Sequence, residues 1–200
     1  MPEQLSCCGC QINLAKDVYE PAEDSYLMIE AALAEIGKSS QAMRILEIGT
    51  GSGIVSSVLM QNMPEHDYIA TDISPLAVLC AKTNGLQVIR ADLFAGLRGS
   101  FDLIIFNSPY LPTEPEESVD GWLDHAWNGG KDGRTTINRF LQQVPAFLAD
   151  GGVVLLLISS LTGIEEVCAR GAAAGVVMNE AARVHCPGEL LVVLQGRRQP

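Results

Sequence analysis

The sequence predicts an α/β protein built on an open, mostly parallel β-sheet with helices on both faces. Three observations predict it. Short apolar runs of β-type alternate with helical patterns between Arg44 and Phe106. A glycine-rich turn, Gly49-Thr-Gly-Ser-Gly53, carries the first of these runs into a helix. Acidic residues close the next two runs, at the carboxyl ends where open α/β sheets collect their ligands. Such alternation requires right-handed crossovers, and therefore parallel strands.

Taken in order, Pro21 to Ile36 places apolar residues at Ala22, Tyr26, Ile29, Leu33 and Ile36, a helical period opened by proline and closed by Gly37. After the loop from Lys38 to Gln41, the pattern gives a strand Arg44 to Ile48, a helix Ile54 to Asn62 and a strand Tyr68 to Thr71. A helix Pro75 to Thr83, a strand Leu86 to Arg90 and a strand Leu103 to Phe106 follow. From Ser108 to Arg134 the pattern dissolves into Pro, Glu, Asp, Gly and Trp. A connection of that length is usually functional or disordered, and residues 108–134 read as a substrate loop. Regularity returns with a helix Thr135 to Leu148, the turn Asp150-Gly-Gly152 and the buried-type strand Val153 to Ile158. A small-residue helix, Ile164 to Ala174, leads to two strands, Val176 to Ala182 and Glu189 to Gln195, close enough in sequence to pair as a hairpin and end the sheet antiparallel. The whole, residues 1–200, reads as one domain with an N-terminal extension over 1–17 and no internal repeat or linker.

Composition bounds the function. With 200 residues, 48% of them hydrophobic, the chain can bury a core without staples. A formal charge of -11 weakens attraction to nucleic acid and anionic lipid, so neither direct nucleic-acid binding nor a membrane is expected. The longest apolar run, Val153 to Ile158, is too short for a bilayer. The start, Met-Pro-Glu-Gln, has no basic segment leading into an apolar one, and a cytoplasmic location is expected. Cysteines at 7, 8, 10, 80, 168 and 186 make no compact disulfide framework. Cys7, Cys8 and Cys10 offer thiolates, but zinc takes four ligands and the neighbourhood supplies no fourth, so a frayed terminus and no metal are expected.

The turn after Ile45-Leu-Glu-Ile48 reads G-x-G-x-G, with Glu47 two residues before Gly49. The dinucleotide fingerprint is G-x-G-x-x-G, so NAD is disfavoured. Glycines here, Gly49 and Gly51 among them, let a ligand touch backbone. Asp72 ends the next strand, where a carboxylate accepts from both ribose hydroxyls. Asp92 follows the third strand and, with Leu93-Phe94, suits an adenine: the acid accepts from the exocyclic amine and the apolar neighbours flank the ring. One strand-end acid is often a helix cap or a solvated charge. Three in consecutive loops, beside the glycine turn, make a nucleoside site.

Asn107-Ser-Pro-Tyr110 follows the run Phe101 to Phe106 and puts an amide and a proline-stiffened turn at a strand's carboxyl end. Asn, Ser and Pro are also ordinary turn formers. Beside a nucleoside site they suit methylation of a planar, weakly nucleophilic nitrogen. The Asn107 side-chain oxygen and the Ser108 carbonyl would accept its two N–H groups and aim its remaining density, while Tyr110 stacks on the flat group.

The glycine turn and its acids resemble the class I S-adenosylmethionine-dependent methyltransferases over nearly the whole chain, which implies a Rossmann-like, seven-stranded, mostly parallel sheet with an antiparallel last strand. Three segments narrow the resemblance: Val18-Tyr-Glu-Pro-Ala-Glu-Asp-Ser25, Asn107-Ser-Pro-Tyr-Leu-Pro-Thr113 and Ala126-Trp-Asn-Gly-Gly-Lys-Asp-Gly-Arg134. Together they look like the eukaryotic and archaeal branch of the HemK-type release-factor glutamine methyltransferases. That resemblance implies S-adenosyl-L-methionine as cofactor, held by Ser25, Glu47, Gly49, Gly51, Asp72, Asp92, Leu93 and Asn107. It implies Asn107, Ser108, Pro109 and Tyr110 as the catalytic turn, and a class 1 release factor as protein substrate. It also implies a small zinc-binding activator subunit, expected along the strand 86–90, which the class I order leaves at a sheet edge open to another chain. Most relatives carry proline where this chain has Ser108, so the turn is expected to lose stiffness while keeping the needed carbonyl. The bacterial N-terminal recognition domain has no counterpart here, which leaves recognition to loops or a partner. Trp122 and Trp127 suit loop packing and substrate contact equally. The rival readings are an N6-adenine methyltransferase of nucleic acid, disfavoured by Glu114, Glu116, Glu117, Asp120 and Asp124 in the active-site loop, and a cofactor-bound scaffold.

Overall fold

The computed structural model describes residues 3–7, 9–118 and 120–199. A hairpin of β1 (Glu3–Cys7) and β2 (Cys10–Leu14) precedes α1 (Glu23–Ile36). Then come β3 (Arg44–Ile48), α2 (Ile54–Asn62), β4 (Asp67–Asp72), α3 (Pro75–Thr83), β5 (Val88–Arg90) and β6 (Phe101–Asn107). After the long loop follow α4 (Thr135–Gln143), β7 (Leu148–Ser159), α5 (Ile164–Ala173), β8 (Val176–Cys186) and β9 (Glu189–Arg198). The main sheet has seven strands in the order β5-β4-β3-β6-β7-β9-β8. Strands β3 to β7 pair in parallel, and β9 runs antiparallel to both of its neighbours. This is the expected sheet, antiparallel last strand included.

The period of two along the central strands decides the layering. Ile45, Leu103, Ile105, Val153, Leu155, Leu157 and Val193 face α1 and α2, where Met28, Ile29, Ala32, Val58 and Leu59 are buried. Their alternates, Leu46, Ile104, Phe106, Val154, Leu156 and Val192, face Ile137, Phe140 and Leu141 of α4 and Val167 of α5. A smaller cluster, Ala70, Val78, Ala81, Leu86 and Val88, seats α3 on β4 and β5. Central strands buried on both faces read as continuous apolar runs, which is why β6 and β7 stood out in the sequence.

Several boundaries differ from expectation for physical reasons. The helix expected to Leu148 ends at Gln143 and continues as a 3-10 turn, Val144–Ala146, because Pro145 has no N–H to donate into the helix. Asp150-Gly-Gly152 is not a turn before β7 but an irregularity within it: Phe101 pairs with Leu148 and Leu103 with Val153, so the glycines absorb extra residues. The strand expected from Leu86 starts at Val88, since the Leu86 N–H still bonds the Ala81 carbonyl at the end of α3. The closing strands run longer than their apolar cores, to Cys186 and Arg198, because an edge hairpin needs only one buried face. The 1–17 extension, expected to fray, carries the β1–β2 hairpin and sends Ile12 into the α1–α2 core. Asn84 ties this hairpin to the glycine turn, accepting from the Asn13 N–H at 2.8 Å and donating to the Asn13 and Ser52 carbonyls. Cys8 and the side chain of Cys7 lie outside the described residues, and no cluster of three or more His, Cys, Asp or Glu suited to a metal occurs among those described.

Candidate active site

The carboxyl ends of β3, β4 and β6 open into one cavity of about 220 Å³. Its floor is the glycine turn. Gly49, Gly51 and Gly53 adopt φ of 66°, 56° and 85°, which L side chains resist. A Cβ on Gly53 would stand 3.1 Å from the Ala81 Cβ, so that glycine also lets α3 approach.

Glu47 is buried beneath the turn. Its Oε2 accepts from the Thr50 hydroxyl at 2.9 Å and from both the N–H and the hydroxyl of Ser56, binding the turn to the start of α2. Burial outweighs these hydrogen bonds and pushes its carboxyl up to about 7. Asp72 is also buried: Oδ2 accepts from Gly51 N–H and Oδ1 from Ser74 N–H, each at 2.8 Å. Burial raises it too, against those backbone donors. Each oxygen keeps a lone pair for a further donor. Asp92 has a partner that the sequence did not announce. It lines the cavity, but Oδ2 is paired with Arg139 of α4 at 2.6 Å, so one carboxylate oxygen is committed before any ligand arrives. Leu93 next to it holds φ at 52°, a left-handed conformation unusual for leucine, and its side chain is buried.

The first turn of α1 faces the Asn107–Tyr110 turn across the cavity. Asp24 is 4% exposed and acts as a hub. Its Oδ1 accepts from the Ser25 N–H at 2.6 Å, and its Oδ2 accepts from the Tyr19 hydroxyl at 3.1 Å and from Asn107 Nδ2 at 3.0 Å. An ionised carboxylate only accepts, so it fixes which end of the Asn107 amide points where. Asn107 Oδ1 is thereby turned the other way, buried and without a hydrogen-bond partner among the described residues. The neighbouring phenols, Tyr19 and Tyr110, are both pushed up by burial and then by Asp24.

Ser108 stiffens the turn by another route than proline. Its buried hydroxyl donates to the Leu157 carbonyl of β7 at 2.8 Å, which pins the turn to the sheet. The expected loss of stiffness is therefore made good by a side-chain hydrogen bond that the sequence did not announce. Asn107 and Pro109 line the cavity, whereas Tyr110 packs against both apolar cores beside it. The 108–134 loop is ordered by pairing with itself. Leu111 N–H bonds the Trp127 carbonyl, Gly129 N–H the Leu111 carbonyl and Thr113 N–H the Gly130 carbonyl, at 2.9, 2.9 and 3.0 Å. Gly133 packs so closely that a Cβ there would lie 2.4 Å from the Tyr110 carbonyl oxygen. The Trp-Asn-Gly-Gly segment is thus the clamp behind the Asn107–Tyr110 turn.

All the expected cofactor residues, Ser25, Glu47, Gly49, Gly51, Asp72, Asp92, Leu93 and Asn107, line this one cavity. Asp24, Tyr19 and Arg139 join them without having been singled out. Asp24 stood inside a quoted motif, but an acid in the first turn of a helix is explained by the helix dipole alone, and only the 83-residue contact to Asn107 reveals its part.

Comparison with known proteins agrees with this geometry. Residues 25–120 match the family model described as the methyltransferase small domain. A Methanocaldococcus jannaschii protein named as a protein N5-glutamine methyltransferase is 38% identical over 95% of this chain and 96% of its own. The eRF1 methyltransferase catalytic subunit mtq2 of Schizosaccharomyces pombe is 30% identical over 90% of this chain and 89% of its own. Among solved structures, a chain of the E. cuniculi Mtq2-Trm112 complex, described as responsible for methylating the eRF1 translation termination factor, superposes with a TM-score of 0.74 at 26% identity. That match covers 92% of this chain and 99% of that one.

Proposed function

This chain belongs to the protein N5-glutamine methyltransferase family, and from that premise we propose that it methylates the side-chain amide of the glutamine in the Gly-Gly-Gln loop of a class 1 translation release factor, using S-adenosylmethionine. One observation carries the acceptor chemistry: Asn107 holds its Nδ2 on Asp24 and leaves a buried Oδ1 with no partner among the described residues. A buried acceptor without a donor costs about 1–3 kcal/mol, so a site that keeps one is built to receive an N–H.

The cavity suits the cofactor. The glycine turn leaves backbone free to approach, and both oxygens of Asp72 retain capacity for hydroxyl donors beyond Gly51 and Ser74. When bound, S-adenosylmethionine supplies an electrophilic methyl group on a sulfonium. The chain's own residues do the rest by positioning. An amide nitrogen attacks poorly because its lone pair is delocalised into the carbonyl. Asn107 Oδ1 and the Ser108 carbonyl each take one N–H of the acceptor amide, which orients the nitrogen and favours the positive charge that grows on it during transfer. Asp24 keeps Asn107 from flipping, and the Ser108–Leu157 hydrogen bond keeps the carbonyl in place.

A small zinc-binding activator completes the reading, docked along β5. Support comes from the sheet edge: among the described residues β5 pairs only with β4, Ile89 on it is 47% exposed, and Leu79 on the flanking α3 is 65% exposed. An unpaired edge beside exposed apolar side chains is what strand addition uses. The test is transfer of tritiated methyl from S-adenosylmethionine to release factor, with nucleic acid offered in parallel, followed by mass mapping. One methyl on the Gly-Gly-Gln glutamine is expected. Label confined to nucleic acid, or transfer undiminished on a release factor whose acceptor is Gln→Ala, would overturn the assignment.

A further inference from the structure

The 3-10 turn Trp122–Ala126 bends the long loop back over the cavity mouth, and Trp122 lines the cavity together with Asp72, Ile73 and Asp92. Arg90, the last residue of β5, reaches the same place. Its Nε donates to the Ile73 carbonyl at 3.2 Å, and its guanidinium carbon lies 5.3 Å from the centre of the Trp122 ring. Ile73 directly follows Asp72, so indole and guanidinium stand together over the ends of β4 and β5. His125 packs 5.4 Å from the same ring and lines the cavity with Asp72, which places the turn on the ribose side.

We propose that Trp122 is a cofactor-binding residue that covers the nucleoside, and that Arg90 is the positioning residue that holds its ring in place. The proposal rests on the nucleoside-cofactor reading above. A loop indole has rotamer freedom to lose, and its value to a ligand depends on losing it beforehand. A guanidinium against the ring supplies that order, the more so where a bound ligand desolvates the pair. Arg90 also stands on the edge strand. A chain added along β5 would fix Arg90, and through it Trp122, so edge pairing and cofactor affinity are coupled by a contact that crosses no more than one side chain.

The experiment is calorimetric titration of the purified full chain with S-adenosylhomocysteine. Trp122→Ala should weaken binding about tenfold, in line with stacking of a base on an aromatic ring, and Trp122→Phe by about threefold or less. Arg90→Ala should weaken it roughly threefold, and the double variant Trp122→Ala/Arg90→Ala should bind no worse than Trp122→Ala alone, because the arginine acts through the ring. In a Trp127→Phe background the remaining indole should change its emission as cofactor is added, a readout available even if Trp122→Ala folds poorly. Unchanged affinity in Trp122→Ala or unchanged emission overturns the contact with cofactor. Effects of Arg90→Ala and Trp122→Ala that multiply overturn the positioning role. Asp72→Ala is the control for the reading beneath: if it too binds like the wild type, the cofactor lies elsewhere and the proposal falls with it.

Discussion

The most informative atom in the molecule is Asn107 Oδ1, a buried acceptor with no partner among the described residues, oriented by a carboxylate 83 residues earlier in the chain. Asn107→Ala should lower methyl transfer by roughly 100 to 1000-fold, as removal of a pre-placed hydrogen-bonding group does, while cofactor affinity stays within a few fold. Single-turnover transfer and calorimetry check the two halves. Asp24→Asn probes the orientation rather than the contact. Exchanging a charged acceptor for a neutral amide forfeits on the order of 1 kcal/mol and lets the Asn107 amide turn over, so transfer should fall about tenfold or more. Restoration of full rate in Asp24→Asn would refute the orienting role. Glu47 makes a different prediction, in stability against pH. Its carboxyl is raised in the folded chain, from 4.5 to about 7, so between those values the folded state holds more proton than the unfolded one. Stability from this group is present below about pH 4.5, declines as pH rises and is fully lost above about pH 7, with a limiting slope of about 1.4 kcal/mol per pH unit. The difference between wild type and Glu47→Gln in denaturant melts should carry that slope; a pH-independent difference would show that Glu47 does not titrate there.

At the scale of elements, the Asn107–Tyr110 turn is held by what lies behind it. Ser108 fastens it to β7, and the Gly129 to Gly133 clamp fastens the loop just after it. Gly133 has φ of 69° and no room for a side chain between the Tyr110 carbonyl and the Thr162 methyl, 2.4 and 2.8 Å from where a Cβ would stand. Gly133→Ala must therefore move the backbone of Tyr110. It should destabilise by about 1–3 kcal/mol, the usual range for overpacking, and reduce the rate of transfer more than the affinity for cofactor. A variant with wild-type melting and wild-type rate would show that the clamp is dispensable. None of this was legible at Gly133 from the sequence, where a glycine in a polar loop is simply a turn residue.

For the whole molecule, the open edge at β5 makes the last prediction. Amides of residues 86–90 should gain protection from hydrogen exchange when the activator binds, since strand addition pairs N–H groups that β4 leaves free. Binding without protection there would place the activator on another face. The same molecule shows how far a sequence reaches. The alternation of apolar runs and helical periods determined the sheet, its layering and its mostly parallel sense, because burial on both faces leaves a pattern that depends only on nearby residues. The glycine turn and the strand-end acids located the cavity for the same reason: in an open α/β sheet, position along a strand is already position relative to the site. What tertiary structure alone decided was the state of each group once there. Asp24 orients Asn107, Arg139 claims one oxygen of Asp92, the Ser108 hydroxyl replaces the stiffness of a proline, and Trp122 arrives at the cavity beside Arg90. Each of these joins residues from 32 to 83 positions apart, and hydrogen bonds and ring contacts over such separations leave no periodic trace, since they require only that two side chains meet in space.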